Sequence, residues 1–466
     1  MFVGRDNELG ALEELYATDT FQFPVVYGRR RVGKTSLLRH FTEGKADVVF
    51  FTAQEATIAE NLSLLSRELS KEQDSPLPEG FPVYQSLYQA FEEVFRRAAS
   101  KRLVFVIDEY PYLAKSDPSA SSALQTLIDN NQASSKLMLI LCGSSLSFME
   151  HQVLGRQSPL YGRRTAQLRI NPFTAFDAAQ MLPGAPPQTV IELYSIAGGV
   201  PLYLSQLDGS KSTEWNISQK VFRQDSILYE EPRAYLHQET RSPAAYNSII
   251  AAIANGHVRP SEISDATSIP SSAVNRYLES LIELKIVERC IPMVLRNKKQ
   301  VVYRISDNLF RFWFRFVPRY AGTIEAEMGE AVAKRIMSDD FPTFVGPAFE
   351  VVCRQWLMRE AVEGRLGLLP KEIGSWWGTD PRTRNQEEID IVLEGSDEEL
   401  VFGECKWKSR PVDVDVLDKL LERSSLLSGS SRSFFLFSKS GFTKSCVEAA
   451  KGRGDIRLVT PEEMFA

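Results

Sequence analysis

Gly28-Arg29-Arg30-Arg31-Val32-Gly33-Lys34-Thr35 is a glycine-bounded loop closed by a lysine and a hydroxyl. It lies between the apolar run Phe23-Pro24-Val25-Val26-Tyr27 and the stretch Ser36-Leu37-Leu38-Arg39-His40-Phe41. The order strand, loop, helix is what binding a chain of phosphates requires. Glycines let backbone N–H groups turn inward around the oxygens, an ammonium at Lys34 reaches the β- and γ-phosphates, and the Thr35 hydroxyl can ligate Mg2+.

The other half of such a site is expected downstream, in Leu103-Val104-Phe105-Val106-Ile107-Asp108-Glu109. An unbroken apolar run reads as a strand buried on both faces, so Asp108 emerges at its carboxyl end, where ligands of open α/β sheets bind. Asp108 is the expected magnesium partner, and Glu109 the expected base for the attacking water. A third apolar run, Leu137 to Leu141, ends in Cys142-Gly143-Ser144-Ser145, which places Ser144 near the same edge either as a phosphate or water sensor or as part of a simple turn. Arg163 and Arg164 offer a guanidinium for charge developing in a phosphoryl transition state, or else a solvated surface pair.

A second constellation lies far along the chain. Glu350 falls in an expected helix from Pro347 to Arg359, Glu387 to Leu393 enters a strand, and Leu400 to Trp407 forms another. Strand side chains alternate, so Glu404 and Lys406 share one face, and pairing of the two strands brings Asp390 beside them. Two carboxylates and a lysine, with Glu350 approaching from the helix, are the equipment of metal-assisted phosphodiester cleavage: Asp390 and Glu404 as ligands, Lys406 to position the nucleophile or stabilise developing charge. A degenerate binding module is the other reading of the same residues.

The elements that must position these groups are legible in outline. At 466 residues the chain is too long for a single core, and about three domains are expected. No apolar run approaches the ~20 residues of a membrane helix, and the amino-terminal residues lack a charged-then-apolar signal, so a cytoplasmic location with no membrane partner is expected. Five scattered cysteines argue against a disulfide framework and a zinc site. The net charge of −6 conceals a basic stretch: between Arg241 and Arg319 there are twelve Lys/Arg against six Asp/Glu. In that stretch Ala244 to Ala254, a short helix opening at Pro260, and Ala273 to Lys285 read as three helices, followed by strands Ile286 to Ile291 and Val301 to Ile305. Three helices and a basic-tipped hairpin make a winged helix-turn-helix. Ser271, Ser272, Asn275 and Arg276 would open its recognition helix, and Lys298 and Lys299 would tip its wing, against DNA or against a protein. The aromatic run Phe310 to Phe316 suits packing between domains, or base stacking.

Taken together, Phe2-Val3-Gly4-Arg5-Asp6-Asn7-Glu8-Leu9, the loop at 28 to 35, Ile107-Asp108-Glu109, Gly198-Gly199-Val200-Pro201 and Phe312-Trp313-Phe314-Arg315-Phe316 resemble the archaeal-type AAA-like ATPases of the STAND-related branch. Glu350, Trp376-Trp377, Glu388-Ile389-Asp390 and Gly403-Glu404-Cys405-Lys406-Trp407 resemble the PD-(D/E)xK nuclease-like domain that such ATPases carry. The resemblance implies an α/β fold: a P-loop parallel sheet over residues 1–170, a helical lid and connection over 171–238, a winged helix-turn-helix with its aromatic helix over 239–320, and a restriction-endonuclease-like domain over 335–466. It further implies that ATP and Mg2+ are the ligands, that Val3 and Arg5 border the adenine, that the loop from Gly28 to Ser36 holds the phosphates, and that the Gly-Pro element reports nucleotide state. DNA is the expected partner, with a homo-oligomer or a protein partner possible. One departure is that Pro381 stands too far from Asp390 to supply the proline-aspartate pair of the nuclease signature.

Overall fold

The computed structural model describes residues 2–71, 83–293 and 301–466. Two compact units divide the chain, Met1–Pro172 and Phe173–Ala466.

In the first unit the strands β1 (Pro24–Tyr27), β2 (Val48–Thr52), β3 (Leu103–Asp108), β4 (Leu137–Gly143) and β5 (Ala166–Arg169) form one parallel sheet in the order β2-β3-β4-β1-β5. Every residue of β1, β3 and β4 is buried, as strands covered on both faces must be. Their side chains alternate between two cores. Val25, Phe105, Leu139 and Leu141 pack with the helices Ile58–Ser70, Leu87–Arg97 and Ala120–Asn131, whereas Val26, Val104, Val106 and Ile140 pack against Lys34–Thr42 and Asp6–Ala17. Because β4 is inserted between β1 and β3, the ends of three strands converge on one edge.

The second unit begins with helices and then builds the three-helix array Pro243–Ala254, Pro260–Thr267 and Ser271–Glu283, closed by the antiparallel pair β6 (Val287–Cys290) and β7 (Val302–Ile305). Lys298 and Lys299, the expected wing tip, lie outside the described residues. The aromatic helix Asn308–Glu325 is a packing element. Phe310, Phe312, Trp313, Phe314 and Phe316 are all buried, Trp313 Nε1 donates to Tyr229 O at 2.7 Å, and Phe312 meets Phe222 and Phe344. Rings so enclosed present no face for a base, which settles that choice in favour of packing.

The rest of this unit is a mixed sheet in the order β12-β11-β10-β9-β8. The strands β8 (Pro370–Thr379), β9 (Gln386–Gly395) and β10 (Leu400–Lys406) are antiparallel neighbours, and β10, β11 (Arg432–Ser438) and β12 (Ile456–Val459) are parallel. Helix Val414–Ser424 supplies the β10 to β11 crossover and packs on Phe402, Val392 and Leu436, while Phe341–Val362 sends Trp356 against Phe435 and Phe437. The latter helix starts six residues before the expected Pro347. Proline at an interior position removes one N–H, and the loss is tolerated because Phe341, Phe344 and Val345 anchor the preceding turn in the core. Met293, just past β6, is buried in the core of this mixed sheet, and its N–H donates to Ser375 O at 3.0 Å.

Candidate functional site

The glycine loop joins β1 to helix Lys34–Thr42 with Arg31 (φ 72°) and Gly33 (φ 90°) both left-handed, a conformation that turns successive N–H groups to one side. Lys34 is buried, and its Nζ donates to Gly28 O and Arg29 O at 2.9 Å each, curling the loop about its own ammonium. Burial lowers the Lys34 pKa, with Cys142, Glu109 and Asp108 pulling the other way. Gly28 has a steric reason: a Cβ there would stand 2.3 Å from Ile170 O, on the neighbouring chain that bonds back to Tyr27. Gly28→Ala should therefore cost about 1–3 kcal/mol of stability through forced displacement of that chain, read as a shifted urea midpoint.

Thr35 Oγ1 donates to Asp108 Oδ2 at 2.8 Å, so the hydroxyl and the carboxylate expected around a cation meet across the edge. Glu109 follows with φ 52°, an uncommon value for a non-glycine residue, which swings its side chain to Ser144. Ser144 Oγ donates to Glu109 Oε2 at 2.7 Å and its N–H to the same oxygen at 3.3 Å. One chain of contacts thus runs from Thr35 through Asp108 and Glu109 to Ser144. This donor set fits a magnesium-bound triphosphate: a curled loop with a buried ammonium, a hydroxyl paired with a buried carboxylate, and a second carboxylate beside them.

Arg5 (φ 70°) donates to Val32 O at 3.0 Å and Asn171 O at 2.7 Å, so the box containing Val3 braces the far end of the loop, and Phe2 stacks on His40 at 4.2 Å. Arg30 reaches the Tyr112 hydroxyl at 2.8 Å, a contact with no signal in the sequence. Ser36 lies in the first turn of the helix, and Arg29 is buried. The arginines of the expected finger are placed elsewhere. Arg163 forks onto both Asp129 oxygens at 2.7 and 2.6 Å, and Arg164 donates to Leu154 O, so neither is joined to the Lys34–Glu109 group.

In the second unit Asp390, Glu404 and Lys406 come together. Lys406 Nζ lies 2.5 Å from Glu404 Oε1 and 3.8 Å from Asp390 Oδ2, and that Asp390 oxygen also accepts from Cys405 N at 2.8 Å. Glu404 Oε2 is buried without a hydrogen-bond partner, an exposed lone pair in chemical terms though not in solvent. Burial raises the Glu404 pKa and Asp390 adds to it, against Lys406. Burial depresses Lys406, but Glu404 and Asp390 outweigh it and hold the ammonium above its ordinary value. Glu350 is pushed up to about 7, first by burial and then by Asp390, with Arg354 and Arg304 opposing.

The orphaned Glu404 oxygen fits a cation. Among the described residues, however, no three His, Cys, Asp or Glu side chains assemble as a metal-ligand set, so an ion here would lean on Asp390, Glu404, backbone and water. Three supporting residues are additions to the sequence reading. Arg354 bonds Ser375 Oγ at 2.8 Å and Asp390 O at 3.3 Å; Arg423 reaches Glu387 at 2.8 Å and Glu404 at 3.7 Å; Arg304 of β7 reaches Glu388 at 3.4 Å. Arg354 was findable, four residues past Glu350 on one helical face; Arg423 and Arg304 depend on tertiary folding.

A folded-state pKa near 7 against an unfolded value of 4.5 means that native Glu350 holds its proton more tightly, so its contribution is complete below pH 4.5 and is lost as pH rises through about 7. Glu350→Gln should flatten that fall, which is on the order of 3 kcal/mol, in urea unfolding measured across the range.

On helix Ser271–Glu283 the apolar face of Val274, Leu278 and Leu281 is buried, and Ser271, Ser272, Asn275 and Arg276 are exposed. Among the described residues no helix is long and apolar enough to cross a membrane.

Comparison with known proteins gives three family matches. Residues 2–207 match an ATPase domain predominantly from Archaea, 249–289 match the IclR helix-turn-helix domain, and 313–417 match archaeal and bacterial proteins of unknown function. An uncharacterised protein of Methanocaldococcus jannaschii is 31% identical over 433 residues, 92% of this chain and 93% of that one. An uncharacterised ATP-binding protein of the same organism is 47% identical over 45 residues, 10% of this chain and 76% of its own length. The Walker-type ATPase of Pyrococcus abyssi superposes with a TM-score of 0.50 at 21% identity, covering 67% of this chain and 96% of its own, which is a likeness of fold.

Proposed function

The chain belongs to the family of the Methanocaldococcus relative that it matches over 93% of that protein's length and itself joins an archaeal-type ATPase domain to a helix-turn-helix, and from that premise we propose that it is an ATP-driven switch acting on DNA. The observation that carries the proposal is the run of contacts Thr35, Asp108, Glu109, Ser144 at the carboxyl ends of β3 and β4, beside a loop curled on Lys34. Gly28 to Ser36 hold the triphosphate, Lys34 neutralises its terminal oxygens, Thr35 and Asp108 hold Mg2+, Glu109 orients and deprotonates water, and Ser144 positions Glu109. Bound magnesium supplies charge neutralisation of the phosphates. Arg163 or Arg164 serves as the finger only after release from Asp129 or Leu154.

Ser271, Asn275 and Arg276, with Lys298 and Lys299, contact the nucleic acid. The Asp390, Glu404, Lys406 and Glu350 group is read as a phosphodiester-cleaving centre. The absence of a three-residue ligand set among the described residues favours a second reading, in which that group only binds DNA or protein. Titration of labelled duplex at increasing salt tests the switch: affinity should fall steeply with salt. Arg276→Ala should weaken binding by about 1–3 kcal/mol, and ATP should change the midpoint. Binding insensitive to both salt and ATP would end the proposal.

A further inference from the structure

Beside Lys406 a cavity of about 370 Å3 is lined by Lys408, Arg410, Val412, Thr443 and the start of helix Val414–Ser424. The loop that forms it is pinned at both ends. Trp407 is buried against Phe349, with Lys439 4.8 Å above its ring, and Val412 is bridged to Phe442, with its N–H on Gly441 O and its carbonyl receiving Thr443 N. A strapped loop of this kind presents Lys408 and Arg410 from a fixed backbone, so little ordering is left for a ligand to impose.

These two cations also differ from their neighbours. Around the same sheet Arg423 is satisfied by Glu387, Arg453 by Asp455 and Arg457 by Glu360. Lys408 and Arg410 are exposed, and among the described residues neither side chain makes an ion pair or hydrogen bond. Two carboxylates stand in the same wall, but Asp413 Oδ1 accepts from Val414 N, Thr443 Oγ1 and Ser445 Oγ, and among the described residues neither Asp413 nor Asp415 forms an ion pair with Lys408 or Arg410.

We propose that this cavity is a subsite for the backbone phosphates of a single nucleic-acid strand, holding the phosphate next to the one that faces Lys406. The inference rests on reading the Asp390–Glu404–Lys406 group as acting on a phosphodiester, and it names the substrate of that group as a strand gripped by its backbone and not by its bases. Guanidinium and ammonium groups on a rigid loop recognise phosphate oxygens without regard to sequence.

The test is fluorescence anisotropy of a labelled oligothymidylate on the full-length protein in chelator, so that binding is read without cleavage. It is performed in an Asn275→Ala/Arg276→Ala background, which weakens the helix-turn-helix contribution and leaves its remainder common to every variant compared. Adding Lys408→Ala and Arg410→Ala should reduce the slope of log affinity against log salt by about 1.4, two contacts at about 0.7 each, whereas Lys408→Arg with Arg410→Lys should keep it. An unchanged slope in the alanine variant overturns the subsite. Complete displacement of the oligonucleotide by equimolar inorganic phosphate also overturns it, because a small-anion site would explain the charges. If plasmid is never cut with Mg2+ or Mn2+ yet the slope falls, the cleavage reading fails and the subsite stands; if plasmid is cut and the slope is unchanged, the reverse holds.

Discussion

Lys34→Ala will lower ATP turnover by about 100-fold to 1000-fold, with calorimetric uptake of the nucleotide weakened alongside it. The Lys34 ammonium is seated in the curled loop, bonded to Gly28 O and Arg29 O, and burial has already reduced its preference for the charged form. Phosphate oxygens in that position would restore the partner that burial withholds, so the interaction is stronger with ligand than without it. Glu109→Gln provides the contrast. Nucleotide uptake should survive while turnover drops, because the amide keeps the contact with Ser144 Oγ and loses the ability to take a proton. Equal loss of uptake in both variants would mean that Glu109 holds the loop and does not act on water.

The second large effect is expected at Lys406. Replacing it with alanine leaves the Glu404 carboxylate, 7% exposed, without its ammonium and still facing Asp390. Breaking such a pair from one side costs about 3 kcal/mol near neutral pH. The cost should shrink on acidification, since burial and Asp390 raise the Glu404 pKa and the acid left without its ammonium takes up a proton more readily. Cleavage of supercoiled plasmid should fall at least about 100-fold, and Lys406→Arg should recover the stability but not the rate. If wild type and Lys406→Ala cut equally little while the stability change is found, the group is a structural or binding element and the second reading of the domain is the correct one.

The parallel sheet could be read from the chain because β1, β3 and β4 are unbroken apolar runs, and a strand covered on both faces has no other composition open to it. The meeting of Glu404 and Lys406 followed from alternation along β10 alone. β8 went unread: Lys371, Glu372 and Gly374 interrupt its apolar pattern, and its register slips twice against β9. The link from Glu109 to Ser144 depends on a positive φ that no residue type announces, and the capture of Arg163 by Asp129 depends on where helix Ala120–Asn131 ends. The extension of helix Phe341–Val362 through Pro347 was missed for a different reason, because proline reads as a boundary while three buried side chains upstream carry the helix past it.

Met293 works as a peg. It comes from the segment after β6 yet fills a hole in the mixed sheet, where a side chain on Gly374 would collide with it at 2.9 Å. Anyone trimming the gene to isolate the helix-turn-helix half would pull that peg into water and leave its socket empty, so both fragments should come out sticky. The two halves are best inherited, expressed and engineered as one piece.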